Sequence, residues 1–306
     1  MVPEILVMIA CFLQRLPART LLLPLIFFLV LPILACRPAA EGEKDKEQVL
    51  RFTVIDAFRI PILATADEQL AHARSDFEEV HEKKAALKAV AALHPTARRH
   101  AAMAALELAY LELGPDYRLA DSRQCSLAME QYRDILDTFS DLPEVAAKSL
   151  WYQGWIASDL LGDRRCGLTY YQRIIDQYPN ESLHFLPPAP WLTIHRTEES
   201  VEHRLSYSNP GLTWADVAYL EIIRYATEQE RAWAALLAIR ANHGNDGFAG
   251  IALKVFLTGH DFEERSEQLT RSYLAQSSAD QAIKDDLQLV LSAHLGDAES
   301  SKETLR

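Results

Sequence analysis

Three residues between Thr193 and Leu205 have the types and the spacing of a metal site. His195, Glu199 and His203 stand four apart, so a helix would present all three on one face, and imidazoles with a carboxylate suit zinc. The competing reading is a polar helix with Glu198, Glu199 and Glu202 as solvated charges, and on that reading no metal and no other cofactor is expected. His81-Glu82 opens like the helix of a zinc protease, but the second histidine is missing, because Ala85 stands where it belongs. No Gly-x-Ser-x-Gly elbow, phosphate loop or dinucleotide fingerprint occurs, and the glycines of Gly244 to Gly250 have the wrong spacing. Cys125 and Cys166 have no histidine close in sequence to activate them. The chain is therefore read as non-enzymatic, with a metal-dependent hydrolase centred on His195 to His203 as the alternative.

A different chemistry is suggested at Cys36. The residues Ile33-Leu34-Ala35-Cys36 close an apolar run that begins at Leu21 and follows Arg15 and Arg19. A charged start, an apolar core and a small residue before the cut are the parts of an export signal. The junction resembles that of bacterial lipoproteins. The resemblance implies cleavage before Cys36, acylation of its thiol and residence in the cell envelope. Arg37, rather than an aspartate, implies the outer membrane with the folded part facing the periplasm. A retained anchor is the alternative, although a membrane span needs about 20 apolar residues and this run is shorter. Met8 offers a second possible start.

Net charge is −12 over 306 residues, and no Lys/Arg run appears. Nucleic acid and anionic lipid surfaces require basic fields, so neither is an expected partner. In an exported chain Cys125 and Cys166 form a candidate disulfide, since both sit near helix starts in similar contexts. Two separate buried thiols are the other reading.

The elements that would carry these residues are helices. Residues 1–35 read as the signal and 36–48 as a flexible tether, whose 12 residues after Cys36 extend about 40 Å. Leu50 to Leu63 is apolar without clean period, a short extended segment or a lid. From the capping box Thr65-Ala-Asp-Glu68 onward the helical period predicts one helix to Leu93, then helices over about 97–113, 124–139, one opened by Pro143 and ended at Gly162, and one from Asp163 to Tyr178. Residues 181–211, with Leu186-Pro-Pro-Ala-Pro190, predict a connector between helical blocks at 49–180 and 212–296. Further helices start near Thr213, Thr227, Phe248, Phe262 and Ala279, and residues 297–306 read as a disordered tail. The expected fold is all-α, an α-solenoid of antiparallel helix pairs with about ten helices and no β-rich block.

Two segments repeat each other at an offset of 39 residues, Tyr132-Arg-Asp-Ile-Leu-Asp-Thr-Phe-Ser140 and Tyr171-Gln-Arg-Ile-Ile-Asp-Gln-Tyr-Pro179. Ala128 and Gly167 stand four residues before the tyrosines. This pattern resembles the second helix of a tetratricopeptide repeat, with Trp151 as the first-helix aromatic and Gly162-Asp163 as the turn. The earlier unit departs from it by about nine extra residues between Gly114 and Ala128. Together with the Cys36 junction, the resemblance is to repeat lipoproteins of Gram-negative envelopes, and it implies an envelope protein or peptide as partner. Assembly or transport at the outer membrane is the implied role, with a subunit of a secretion or polysaccharide-export machine as the alternative. Of the consecutive aromatics Trp151-Tyr152 and Tyr170-Tyr171, most are expected in helix packing and one of each pair in a partner-binding groove.

Overall fold

The computed structural model describes residues 51–183, 211–244, 246–276 and 281–304. These form an N-terminal β-hairpin, β1 (Arg51–Ile55) and β2 (Phe58–Ile62), followed by eleven α-helices. The helices are α1 (Ala66–Ala73), α2 (Val80–Leu93), α3 (Arg98–Leu111), α4 (Ser122–Thr138), α5 (Pro143–Trp155), α6 (Arg164–Gln177), α7 (Trp214–Tyr225), α8 (Gln229–His243), α9 (Gly247–Gly259), α10 (Glu264–Leu274) and α11 (Gln281–Thr304). The all-α solenoid is the observed fold.

Helix starts are set by side chains that satisfy free N–H groups. Thr65, Asp121 and Thr213 each accept from the third helical residue, whose side chain bonds back to the cap. Asp163 and Asp246 cap α6 and α9 in the same way from one side, and Pro143 begins α5, where its missing N–H costs nothing.

The helices form two rows. Each odd-numbered helix packs against the next odd one, α1 on α3, α3 on α5, α5 on α7, α7 on α9 and α9 on α11. Each even helix lies against the odd helices before and after it. The odd row is thus the spine, and α5, one of its two central members, is buried from Val145 to Trp155. A helix buried all round is what a position between neighbours in both rows demands.

Three expectations are corrected, and one is refined. Of the two readings of Leu50 to Leu63 the extended one holds: residues 51–62 form an antiparallel hairpin, with Ile60 buried against α2. Its two-residue turn puts Asp56 and Ala57 at φ 50° and 71°, a conformation usually given to Asn-Gly, which is why no turn signal stands out. The single helix expected from Thr65 to Leu93 is two helices. Ser75 Oγ donates to the His72 carbonyl at 2.7 Å, and Phe77 folds back with its ring 5.5 Å from that of His72. The apolar period continues through the turn because Phe77 of the turn itself packs, half-buried, against the smaller core.

The connector at 181–211 does not separate two cores. Leu183 N–H donates to the Leu212 carbonyl at 3.0 Å and Trp214 N–H to the Glu181 carbonyl at 2.8 Å, so the chain on its two sides is stapled together. One apolar core runs from Ala102 to Leu287. A second, smaller core holds the hairpin, α1, α2 and Ala104 of α3. Proline marks where helices stop, not where packing stops. Lastly, α11 passes through Gly296 to Thr304, so most of the expected disordered tail is helical. A helical glycine costs only about 1 kcal/mol, which the surrounding Ala, Glu and Lys residues tolerate.

Candidate partner-binding surface

The centre of the array is a belt of aromatic side chains whose placement follows the repeat. Tyr132 of α4 stacks on Tyr152 of α5, with centroids 4.6 Å apart and planes 10° apart. One unit later Tyr171 of α6 lies parallel to Tyr225 of α7, at 6.4 Å and 8°. Trp233 of α8 meets Phe256 of α9 edge-on at 5.4 Å, continuing the even-to-odd contact where the sequence shows no copy of the repeat. The small residues permit close approach, as the repeat pattern implies. A Cβ on Gly167 would stand 2.8 Å from the Gly154 carbonyl, and one on Gly154 would meet the Tyr171 ring at 2.7 Å. Helices α5 and α6 touch because neither position carries a side chain.

Of the four aromatics expected near a groove, Trp151, Tyr152 and Tyr171 are buried in this core. Neither member of the Trp151-Tyr152 pair reaches a groove, because α5 has neighbours on every side. Tyr170 alone is half-buried. Burial is the main cause of its raised pKa, and the Cys166 thiol beside it adds to the effect.

The belt reaches the surface elsewhere. Trp155, the last residue of α5, packs edge-on against Tyr117 at 5.2 Å, and Tyr117 also neighbours Tyr110 of α3. Tyr117 belongs to a single 3₁₀ turn, Tyr117–Leu119, capped by Asp116, whose carboxylate accepts from Arg118 N–H at 3.1 Å. The extra residues of the earlier repeat unit include this turn. It carries Leu119 outward with 79% exposure, and Leu161 in the α5–α6 turn is 41% exposed. Both turns lead from an odd helix to an even one, so they emerge on the same side of the array. Burial raises the Tyr110 phenol to about 12, with Tyr117 and Asp116 contributing, and it stays neutral beside this surface.

Two charged clusters lie between the packed helices, and sequence reasoning finds neither. Lys148 of α5 is buried, with its amine 6.0 Å from the Tyr152 ring. Desolvation lowers its pKa to about 8, against the pull of Glu107, and Glu107 itself pairs with Arg74 at 2.5 Å. The second cluster joins three helices. His243 at the end of α8 lies 3.2 Å from Asp216 of α7 and 3.1 Å from Asp246, the cap of α9. Asp216 also accepts from Thr213 Oγ1 at 2.7 Å and Asn242 Nδ2 at 3.1 Å. Hydrogen bonds to Asp216 first and Asp246 second raise His243 to about 9, so it is an imidazolium at neutral pH. Burial pushes the Asp216 carboxyl up, but the bonds from His243 and Thr213 outweigh it and hold the group below its ordinary range. The sequence shows only the Thr213–Asp216 capping box. Histidine 27 residues after an aspartate carries no local signal.

The cysteine pair is not joined. Cys125 is a buried free thiol facing the Ala120 carbonyl, and Cys166 is a half-buried free thiol beside Tyr170. Helix α5 packs on both α4 and α6 and stands between the helices that carry the two thiols. Burial raises both thiol pKa values, with Asp121 and Asp163 adding to it, which leaves them protonated and weakly nucleophilic. Cys36 and the His195, Glu199 and His203 set lie outside the described residues. Among the described residues no cluster of His, Cys, Asp and Glu has the arrangement of a metal site, and no helix is long and apolar enough to cross a membrane.

Comparison of the chain with family models, curated proteins and solved structures finds no match. The class of protein is therefore defined by the fold alone, an α-helical solenoid built from paired helices.

Proposed function

We propose that this chain is a lipid-anchored scaffold of the bacterial envelope that holds another protein on one side of its helical array, without turnover. Acylation of Cys36 would fix it to a leaflet, the residues after it would give reach, and the Tyr117–Leu119 turn with Leu161 would seat the partner. The observation that carries the binding part is the aromatic belt ending in exposed Leu119. An apolar side chain held outward on a capped turn, with a buried tryptophan behind it, is a preformed anchor rather than a stray surface residue. Solenoids use such contiguous surfaces to capture extended or helical segments.

A photo-crosslinking amino acid at position 119 in the native host, with Leu289 as an equally exposed control, tests this reading. The expected result is a discrete adduct at 119 that Leu161→Asp, in the same crosslinker-bearing chain, abolishes. Equal or no labelling at the two positions would reject it. The anchor is tested separately by Cys36→Ser, which should leave the precursor unacylated and mislocalised; acylation that persists would remove the lipoprotein reading.

A further inference from the structure

Among the described residues, the N-terminal hairpin leaves one strand edge open. Residue pairs in an antiparallel hairpin alternate between bonded and non-bonded. The turn at Asp56-Ala57 puts Ile55 opposite Phe58, Thr53 opposite Ile60 and Arg51 opposite Ile62 in the bonded set. Phe52 and Val54 therefore direct their N–H and C=O groups away from β2. The far edge of β2 is already engaged. Pro61 has no N–H, its carbonyl accepts from Gln69 Nε2 at 3.1 Å, and Gln69 Oε1 accepts from Leu63 N–H at 3.0 Å. No such bond reaches Phe52 or Val54 among the described residues. Their side chains are 40% and 70% exposed. Natural sheets protect an apolar open edge with charge, proline or cover unless it is used; β1 has neither charge nor proline at positions 52 and 54, and the Arg59 guanidinium lies over the face of the Phe52 ring without covering the strand's open N–H and C=O groups.

We propose that β1 is a homodimer contact, in which β1 strands of two copies pair antiparallel about a two-fold axis at Thr53. The arrangement is argued from complementarity. With Thr53 opposite Thr53 of the second copy as a non-bonded pair, Phe52 and Val54 become bonded pairs with Val54 and Phe52 of that copy. Each bonded pair exchanges two N–H···O bonds, so all four open groups on each strand are satisfied. A shift by one residue would leave them facing the wrong way. On the outer face, rows run Arg59, Val54, then Phe52 and Pro61 of the second copy. The two Arg59 guanidinium groups fall at opposite corners, each already stacked over a Phe52 ring at 4.0 Å, and no like charges oppose one another. The product is a four-stranded sheet covered on one face by both α2 helices, a more stable object than two isolated hairpins.

The pairing does not depend on the lipid anchor and is tested by disulfide trapping in the full chain. Non-bonded antiparallel pairs bring Cα atoms to about 4.5 Å, within disulfide reach. Thr53→Cys in a Cys166→Ser background should give a covalent dimer on mild oxidation, above the level of the background chain. Val54→Cys, two residues out of register with itself across the axis, should not. Adding Val54→Lys to the Thr53→Cys chain should abolish the crosslink. Should Thr53→Cys fold poorly, sedimentation of the unmodified chain decides: a twofold higher mass than the Val54→Lys chain is expected. A monomeric unmodified chain, or crosslinking that is equal at 53 and 54, overturns the proposal.

Discussion

Tyr171 and Gly167 show how one side chain, and the lack of one, hold neighbouring repeats together. The Tyr171 ring fills the space between Gly154, Trp151 and Tyr225, and it is fully buried. Tyr171→Ala should cost about 3 to 5 kcal/mol, the range for deleting a large aromatic from a core. Urea unfolding would measure it; a change below about 0.5 kcal/mol would mean that the ring lies on the surface. Gly167→Ala tests the complementary feature. Its Cβ would meet backbone, the Gly154 carbonyl, which cannot rotate away, so a loss of about 1 to 3 kcal/mol is expected, with Ala128→Gly as a control for the effect of composition. This small-then-aromatic spacing is legible in the sequence because it recurs at a fixed offset. Lys148 and His243 are not, because their partners come from other helices and no period links them.

Helices, taken as elements, are legible where a cap or a proline marks the start. Thr65, Asp163, Thr213 and Pro143 each stand where the sequence places them, since the N–H groups they satisfy are local to the sequence. The hairpin and the break between α1 and α2 are not legible. The first turns on residues without glycine, and the second hides a half-buried phenylalanine inside the loop. What joins elements is different in kind, and the His243 cluster is the clearest case. Its folded pKa of about 9 lies above the ordinary 6.5, so its stabilisation is fully present below pH 6.5 and lost as pH rises through about 9. Asp216 and Asp246 have lowered values, so their share is present above the ordinary carboxylate range and lost as pH falls below it. The His243 contribution should therefore fall between pH 7 and 10 by on the order of 2 to 3 kcal/mol, while Lys148, lowered to about 8, acts in the opposite sense over the same range. The His243 part is read as the difference between the unmodified chain and His243→Gln, which should be large at pH 7 and small at pH 10. A difference that does not change with pH would assign no alkaline loss to His243.

For the whole molecule the telling feature is that its core ignores the proline-rich connector. Composition predicts two blocks, because the run Pro187-Pro188-Ala189-Pro190 looks the same in one dimension whether it divides two domains or only separates two helices. The structure staples α6 to α7 across that segment and runs apolar packing from Ala102 to Leu287 without a gap. In a solenoid, stability is close to a sum of helix-pair terms and nearest-neighbour interfaces, so a missing interface would split the unfolding curve. The α6–α7 interface is among the most extensive in the molecule, with Ile174, Leu212, Trp214 and Tyr225 buried in one cluster. Denaturant unfolding followed by tryptophan fluorescence and by far-UV dichroism should then give coincident transitions for the two sides of the connector. A protease site placed between residues 184 and 210, once cut, should leave two fragments that co-elute under native conditions. Two resolved transitions, or fragments that separate on cutting, would mean that the connector divides the protein energetically as its composition suggests.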